Sequence, residues 1–569
     1  MGAPAFHNIV LTGRVQIGQP AVTMRCLKGK PVILRQLEYL GASLGTSEFV
    51  LAADRGDLRF NNYIHDCLAA LFKLKVVTVD AAATWAAQLL QALEAAGLNL
   101  PVRVFFVSIL CPAALGAETD LMLLPPMPQG SRLDTLPDAL SGGAGQRPAP
   151  SGVSGTSVFK PDHAEFTSAP SGSPGCLVFA DAAYLRECCV RTLTSGASDA
   201  SAVLRLYQSR YPLKRRPAEC WYDLNCPREA ACAAELFYNT RAFNAIRVDS
   251  ERGVLIKSSA QAGKLEDEAY WYAHLPEELK IYAPRLVDFR STPQGAELTQ
   301  ELYGYPSLQE FYLSGELDTL EWQEILRRLF ALHRRLCGSC RGSLKPGRIV
   351  WLYYDKTLER LRKLKAQHSC WDTLLSRERE VINGREYRGL VSLLGDLEKQ
   401  AQRLGANAKI TLVHGDYCFS NILFDSRNYL FKLVDPRGSL AGEQTIYGDP
   451  RYDLAKLRHS VAGLYDFMVQ GLFTLTQNEE GFEYRILCPE DYSCLVSFFD
   501  ECAAACGYSP AELRFIEGLL FLSMLPLHQD SLKRQLVFYL RAVERLNEAL
   551  PLLLEETRQQ SGIPAWEQA

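Results

Sequence analysis

A chain of 569 residues predicts at least two domains, at roughly 100–200 residues each. Its 61 Lys and Arg against 65 Asp and Glu leave a formal charge of −4, which excludes a global basic field for gripping nucleic acid or an anionic membrane. Hydrophobic residues at 47% and charged residues at 22% exclude a chain that is mainly disordered or fibrous.

The opening MGAPAFHNIVLTG carries no basic stretch followed by an apolar run and a small-residue cleavage site, so no secretory signal is expected. Residues 8–123 then alternate in type: a strand at 8–12, a helix at 31–44, a strand at 75–79, an Ala/Leu helix at 82–97 and an apolar strand at 102–110. That order predicts an α/β domain with a parallel or mostly parallel sheet covered by helices. The longest apolar run, 104–115, is broken by Ser108 and Pro112 and falls short of the ~20 residues that span a bilayer. No transmembrane segment is expected.

Residues 124–175 are dense in Pro, Gly and Ser and read as a long insertion or linker. A strand running into a helix resumes at Cys176, and Lys214, Arg215 and Arg216 read as a solvated basic turn. From about 237 two short strands flank a turn at 250–253, a helix follows in KLEDEAYWYAHL, and AELTQELYG is a further strand. Helices are expected at 321–336, 355–365, 510–525 and 530–556. The chain thus divides into a domain at 1–236, a second at 237–556 built of a small β-rich lobe and a large helical lobe, and a tail at 557–569. Seventeen cysteines without an export signal fit reduced thiols in a cytoplasmic protein. Cys337 and Cys340 form one CxxC with no partner pair at zinc spacing, and read as ordinary thiols at a helix end.

The stretch LVHGDYCFSNILFDSRNYLFKLVDPRGS, residues 412–439, is the most informative. Asp416 stands five residues before Asn421, and Asp435 follows an apolar strand. Phosphoryl transfer from ATP needs a base near the attacking hydroxyl and oxygen ligands that hold Mg²⁺ against the phosphates. Asp416 is of the type that orients and deprotonates the acceptor, while Asn421 and Asp435 offer the hard oxygens that Mg²⁺ prefers. The D-x4-N spacing followed by an apolar strand ending in Asp is shared with the protein-kinase catalytic loop and its DFG segment, with His-Gly-Asp and Asp-Pro-Arg-Gly replacing His-Arg-Asp and Asp-Phe-Gly.

HGDYCFSN, VDPRG and YGDPRYDLAKL together resemble the aminoglycoside phosphotransferase and choline kinase superfamily, in the form found in capsule-biosynthesis phosphotransferases, over about 241–548. The resemblance implies an α+β bilobal kinase-like fold, ATP and Mg²⁺ as cofactors, and a small-molecule hydroxyl acceptor: a sugar, polyol or amino-alcohol used in surface-glycan assembly. It also implies that Lys257, in VLIKSS, contacts the α and β phosphates; that Glu268 rather than Glu266 pairs with it; and that Gln300, Glu301 and Leu302 form the hinge whose backbone meets adenine. His414 is expected to shape the loop by hydrogen bonding, Asp449 and Asp453 to satisfy amides at a helix start, Arg437 to touch a phosphate or pair within the loop, and His528 and Asp530 to serve an acceptor pocket or a helix terminus. A choline-like acceptor calls for an aromatic cage, with Trp271, Tyr465 and Phe467 available.

NIVLTGRVQIGQP, LKGKPVILRQLEYL and CWYDLN resemble the sugar-nucleotide nucleotidyltransferases in outline. The loop lacks their G-x-G-[ST]-x-[RK] pattern, since four residues separate Gly13 from Gly18, and Val107, Ser108 and Ile109 stand where they place a metal-binding Asp. Without that carboxylate the metal loses its anchor, so this domain is expected to be degenerate. Two alternatives stand beside an active small-molecule kinase: a silent scaffold of two degenerate folds, and a bifunctional enzyme whose first domain still transfers nucleotides.

Overall fold

The apolar runs NIVL, FVLAA and VRVF build the middle of a seven-stranded sheet, since residues buried on both faces of a parallel sheet need no alternation. The computed structural model describes residues 6–11, 26–27, 30–44, 46–54, 58–79, 85–96, 100–106, 109–110, 121–124, 176–197, 200–217, 222–223, 244–249, 251–367, 369–488 and 490–561. The chain forms two compact units, Met1–Phe237 and Tyr238–Ala569.

In the first unit, β1 (His7–Leu11), α1 (Val32–Leu44), β2 (Glu48–Asp54), β3 (Lys73–Val79), α2 (Trp85–Ala96), β4 (Val102–Phe106), β5 (Leu121–Leu124), β6 (Cys176–Phe179), α3 (Ala182–Thr194), α4 (Ala200–Gln208) and β7 (Lys214–Pro217) follow in order. The sheet runs β7-β5-β6-β4-β1-β2-β3. Only β6 runs antiparallel to its neighbours, β4 and β5; the other pairs are parallel, as the alternation of elements led us to expect. Strand β2 has no counterpart in the sequence reading: FVLAA ends in alanines, which favour helix, and only pairing with β1 and β3 makes it central. Ile9, Leu11, Val104, Leu177 and Phe179 pack with Leu89 and Leu93 of α2 and Leu185 of α3 in one core. Asp181 caps α3 by accepting from the Tyr184 amide at 2.8 Å. The glycine loop at 13–18, Val107 and Ser108, and residues 125–175 of the insertion lie outside the described residues. Of CWYDLN, Tyr222–Asp223 is described, as a short strand antiparallel to Ile109–Leu110.

The second unit opens with an antiparallel sheet in the order β8-β9-β11-β10: β8 (Asn244–Asp249), β9 (Val254–Ser259), β10 (Leu286–Thr292) and β11 (Gly295–Glu301). Helix α5 (Ala262–His274) follows β9 and buries Leu265, Glu268, Ala269, Trp271 and Tyr272. Helix α6 (Thr319–Ser339) starts at a capping box between Asp318 and Glu321 and buries Trp322, Ile325, Leu326, Leu329, Phe330 and His333. Next come α7 (Lys356–Gln367), the strands β12 (Arg379–Ile382) and β13 (Arg385–Arg388), the hairpin β14 (Ile422–Asp425) with β15 (Leu430–Leu433), α8 (Pro450–Val461) and α9 (Tyr465–Val469). The chain ends with β16 (Phe473–Gln477), β17 (Phe482–Ile486), α10 (Pro510–Met524) and α11 (Leu532–Ser561). A second sheet, β13-β12-β17-β16, joins strands distant in sequence that short polar-rich segments did not announce.

Helix α8 begins with Asp449 as cap and Pro450 at its first position. All its residues are buried, charged ones included. Helix α11 runs through Ser561, so the expected tail at 557–561 is helical. ETRQQS contains no breaker, and the Thr557 hydroxyl donates to the Leu553 carbonyl at 2.6 Å.

Candidate active site

The loop from Val413 to Asn421 is fixed from below by a helix start. Both carboxylate oxygens of Asp453, in the first turn of α8, accept backbone N–H bonds, from His414 and from Gly415, each at 2.7 Å. The expectation that Asp453 serves its own helix is therefore corrected: it serves the loop, and Asp449 alone accepts the helical amide, that of Arg451 at 3.0 Å. Gly415 has φ +80°, and a Cβ there would lie 2.8 Å from Arg437 Cβ, so glycine answers both the conformation and the space. His414 Nδ1 accepts from the Asp416 amide at 3.3 Å, and burial lowers its pKa to about 4, leaving a neutral ring.

These contacts aim Asp416. Its main-chain carbonyl accepts from the Asn421 side-chain amide at 3.0 Å. Its carboxylate faces Lys456 Nζ at 2.8 Å and Arg437 Nη2 at 3.6 Å. Burial would raise its pKa, but those two cations outweigh it and hold it well below the usual carboxylate range. Arg437 thus pairs within the loop.

Asn421 precedes β14 and Asp435 follows β15 by two residues. Ile422 is paired with Leu433 in the hairpin, and the Val434 amide donates to the Asn421 carbonyl at 2.9 Å. Both residues accordingly stand at one end of the hairpin. Asp435 adopts a left-handed φ of 55°, a conformation that a non-glycine residue holds only when its surroundings impose it. Gly438, three residues on, lies so close to α5 that a Cβ would come within 1.7 Å of the Asp267 carbonyl oxygen.

Lys257, on β9, meets two carboxylates: Glu268 Oε1 at 2.6 Å and Asp435 Oδ1. Burial would lower its pKa, but the Asp435 and Glu268 charges reverse this and raise it, so the ammonium stays charged. Glu266, the other candidate, accepts instead from the Ser291 hydroxyl at 2.6 Å. Glu268 is buried, whereas 51% of the Asp435 side chain is exposed, so of the two only Asp435 is open to a ligand. Gln300 and Glu301 end β11 and Leu302 follows it. The amides of Glu301 and Leu302 already donate to the Arg285 and Gly253 carbonyls at 3.0 and 2.9 Å. Those two amides are thus taken by neighbouring backbone, and the next amide along the chain is that of Tyr303.

Sequence reasoning missed a group of cations around Asp416. Lys356 and Arg360 stand one turn apart on α7, and Tyr452 and Lys456 one turn apart on α8, so each pair shares a helix face. Lys356 Nζ lies 5.1 Å from the centre of the Tyr452 ring, and Arg360 Nη1 donates to the Ser523 carbonyl at 2.8 Å. Desolvation, with Arg437 and Arg360 nearby, lowers the Lys356 pKa to about 8. Burial would raise the Tyr452 phenol, but Lys356, Lys456 and Arg437 bring it down to about 8.

Other candidates fall elsewhere. Trp271 Nε1 donates to the Val413 carbonyl at 2.8 Å, Tyr465 stacks near His459 and Phe538, and Phe467 packs on Tyr312. The three rings form no cage. Asp530 pairs with Arg534 at 2.8 Å, while His528 is buried against Phe538 and Tyr465. Burial pushes Cys337 up to about 12, and among the described residues no three His, Cys, Asp or Glu side chains gather as a metal site. Asn421 and Asp435 supply an amide oxygen and a half-exposed carboxylate at one hairpin end, a donor pair that fits Mg²⁺ completed by phosphate oxygens and water.

Residues 241–477 match the family model of the phosphotransferase enzyme family. This span includes Lys257, Glu268, Asp416, Asn421 and Asp435. No curated protein matches the chain. Among solved structures, the chain is similar to aminoglycoside phosphotransferase APH(3'')-Id from Streptomyces rimosus ATCC10970 in complex with ADP and streptomycin, at 16% identity over 56% of this chain and 97% of that chain, with a TM-score of 0.30. It is similar to aminoglycoside phosphotransferase APH(4)-Ia at 13% identity over 56% and 98%, TM-score 0.34. A protein described as a glucose-1-phosphate thymidylyltransferase from Bacillus anthracis gives 12% identity over 42% and 97%, TM-score 0.30. Among the described residues no helix is long and apolar enough to cross a membrane.

Proposed function

We propose that the second unit is an ATP- and Mg²⁺-dependent phosphotransferase acting on a hydroxyl of a small molecule, a sugar, polyol or amino-alcohol of the kind used to build surface glycans. The observation that carries this reading is the meeting of Lys257, Glu268 and Asp435, with Asp435 sharing a hairpin end with Asn421. The match of 241–477 to the phosphotransferase family supports it.

Asp416 orients the acceptor hydroxyl and takes its proton as the oxygen attacks the γ-phosphorus; the bond from that phosphorus to the β–γ bridging oxygen breaks, and ADP leaves. Lys257, steered by Glu268, holds the α and β phosphates, and the backbone after β11, from Tyr303 onward, meets adenine. Asn421 and Asp435 hold Mg²⁺, which neutralises phosphate charge when bound. The first unit is read as a nucleotidyltransferase-like domain that has lost catalysis, a reading that the lack of an acidic residue at 107–109 supports.

The test is a ³¹P NMR screen of MgATP with pooled sugars, polyols and amino-alcohols. The expected result is ADP together with a new phosphomonoester signal that disappears with Asp416→Asn. MgATP binding without transfer to any pool member would instead support a silent scaffold.

A further inference from the structure

The walls around Asp416 are unbalanced in charge. Lys356 and Arg360 of α7, Lys456 of α8 and Arg437 of the loop are all cationic, and the carboxylate among them is that of Asp416. Glu359 is the weakest of the groups acting on Arg360 and accepts from Trp351 Nε1 at 3.4 Å. Asp453 is occupied by two backbone amides. Among the described residues no carboxylate lies within ion-pair distance of Lys356 or Arg360, although Lys356 is only 8% exposed. The partner Lys356 does have is the Tyr452 phenol, and a neutral phenol does not supply the counter-charge whose absence makes taking an ammonium out of water cost several kcal/mol.

A chain that only needed apolar packing between α7 and α8 would place leucine or methionine at 356 at no such cost. Helix α8 carries a second buried polar group, packed between Tyr465 and Phe521. His459, one turn beyond Lys456, is wholly buried, and neither ring nitrogen has a hydrogen-bond partner. Lys456 and Asp416 are among the charges acting on it. Arg437 and Asp416 reach solvent, with side chains 44% and 22% exposed.

We propose that Lys356, Arg360 and Arg437 form an anion subsite beside Asp416, so that the acceptor is a hydroxyl compound already carrying a phosphate or a carboxylate. The inference rests on the phosphotransferase reading and narrows its acceptor: a cationic amino-alcohol is repelled, and a neutral polyol leaves Lys356 and Arg360 with no carboxylate at ion-pair distance and Arg437 with Asp416 alone. An oxyanion held between α7 and Arg437 presents a neighbouring hydroxyl to the Asp416 carboxylate. A bidentate guanidinium contact gives phosphate and carboxylate alike a fixed orientation.

Calorimetric titration of the full chain, saturated with Mg²⁺ and a non-hydrolysable ATP analogue, tests this. The probes are glycerol 3-phosphate, glucose 6-phosphate, glycerate and glucuronate against glycerol, glucose and choline. At least one anion is expected to bind ten-fold or more tighter than its neutral counterpart, the phosphate and carboxylate arms separating the two sources. Lys356→Met and Arg360→Met are each expected to weaken that anion ten-fold or more. Lys356→Met is also expected to raise the unfolding temperature of the ligand-free protein, because a structural lysine would lower it on removal. Equal affinity for neutral and anionic members, no anion bound, or a variant with unchanged anion affinity would overturn the subsite. Failure of the analogue itself to bind would overturn the phosphotransferase reading instead.

Discussion

Lys456 Nζ stands 2.8 Å from Asp416 Oδ1, so the carboxylate proposed to receive the acceptor proton is already paired with a buried ammonium. Such a carboxylate stays ionised throughout the working pH range and acts as an orienting acceptor more than as a strong base. Asp416→Asn is expected to lower kcat by roughly 10²- to 10⁴-fold while nucleotide affinity stays close to that of the parent, as read by steady-state rates and nucleotide titration. Lys456→Met removes the main opposing charge and should move the acid limb of kcat/KM to higher pH; an unmoved limb would show that the pair does not tune Asp416.

Glu268→Gln leaves Lys257 with Asp435 as its remaining carboxylate, drawing the lysine toward the group proposed to hold Mg²⁺. KM for ATP should rise about ten-fold, on the order of the 1.4 kcal/mol that a factor of ten represents, with far-UV circular dichroism unchanged. A parental KM would separate Glu268 from nucleotide binding.

The acceptor KM should depend on pH. Lys356 is cationic below about 8 and neutral above it, and Tyr452 is neutral below about 8 and anionic above it. Both changes remove positive charge from the anion subsite as pH rises. Initial rates between pH 6.5 and 9.5 should therefore show acceptor KM rising through about 8, and Lys356→Arg should reduce the rise.

His333 and His414 should each cost the second unit stability in acid. Burial brings His333 and His414 down to about 4 in the folded chain, against about 6.5 when unfolded. Between those values the unfolded chain binds protons that the folded chain refuses. The stabilisation is complete above pH 6.5 and is lost as pH falls toward 4, by up to about 3 kcal/mol for each ring. Asp453 and Asp466, pushed up to about 7 by burial, act in the opposite sense over the same range, so the check compares urea midpoints at pH 4.5 and 7 in the parent and in His333→Gln. The variant should gain stability relative to the parent at pH 4.5 and not at pH 7, and no such gain would contradict the assignment.

Gly438→Ala should be among the costliest loop changes, because Gly438 is buried against α5. The added methyl meets backbone, which does not yield as a side-chain end would, and a loss of roughly 2–4 kcal/mol is expected, measured by denaturant unfolding.

Much of this site was legible in 28 contiguous residues. Asp416, Asn421 and Asp435 are linked by one hairpin, so their spacing in sequence is nearly their spacing in space. Lys257 and Glu268 followed from the family resemblance, which sets a lysine in a strand against a glutamate of the helix after it. Lys356, Arg360 and Lys456 were not legible, because a charge at helical spacing among leucines reads as the solvated side of an amphipathic helix. Packing decides it: α8, which holds Lys456, is buried on every side, and α7 turns Lys356 inward against Tyr452. For the same reason β2 was overlooked: its partners on both flanks, not its own residues, decide its conformation.

Helix α5 is tethered on several sides: by Lys257 to Glu268, by Trp271 to the Val413 carbonyl, by Ser439 to Asp267, and by the backbone of Gly438 lying against Asp267. A rod fastened at that many points has no second resting position that spares its fastenings. Any movement that swings this helix away would have to release all of these fastenings together.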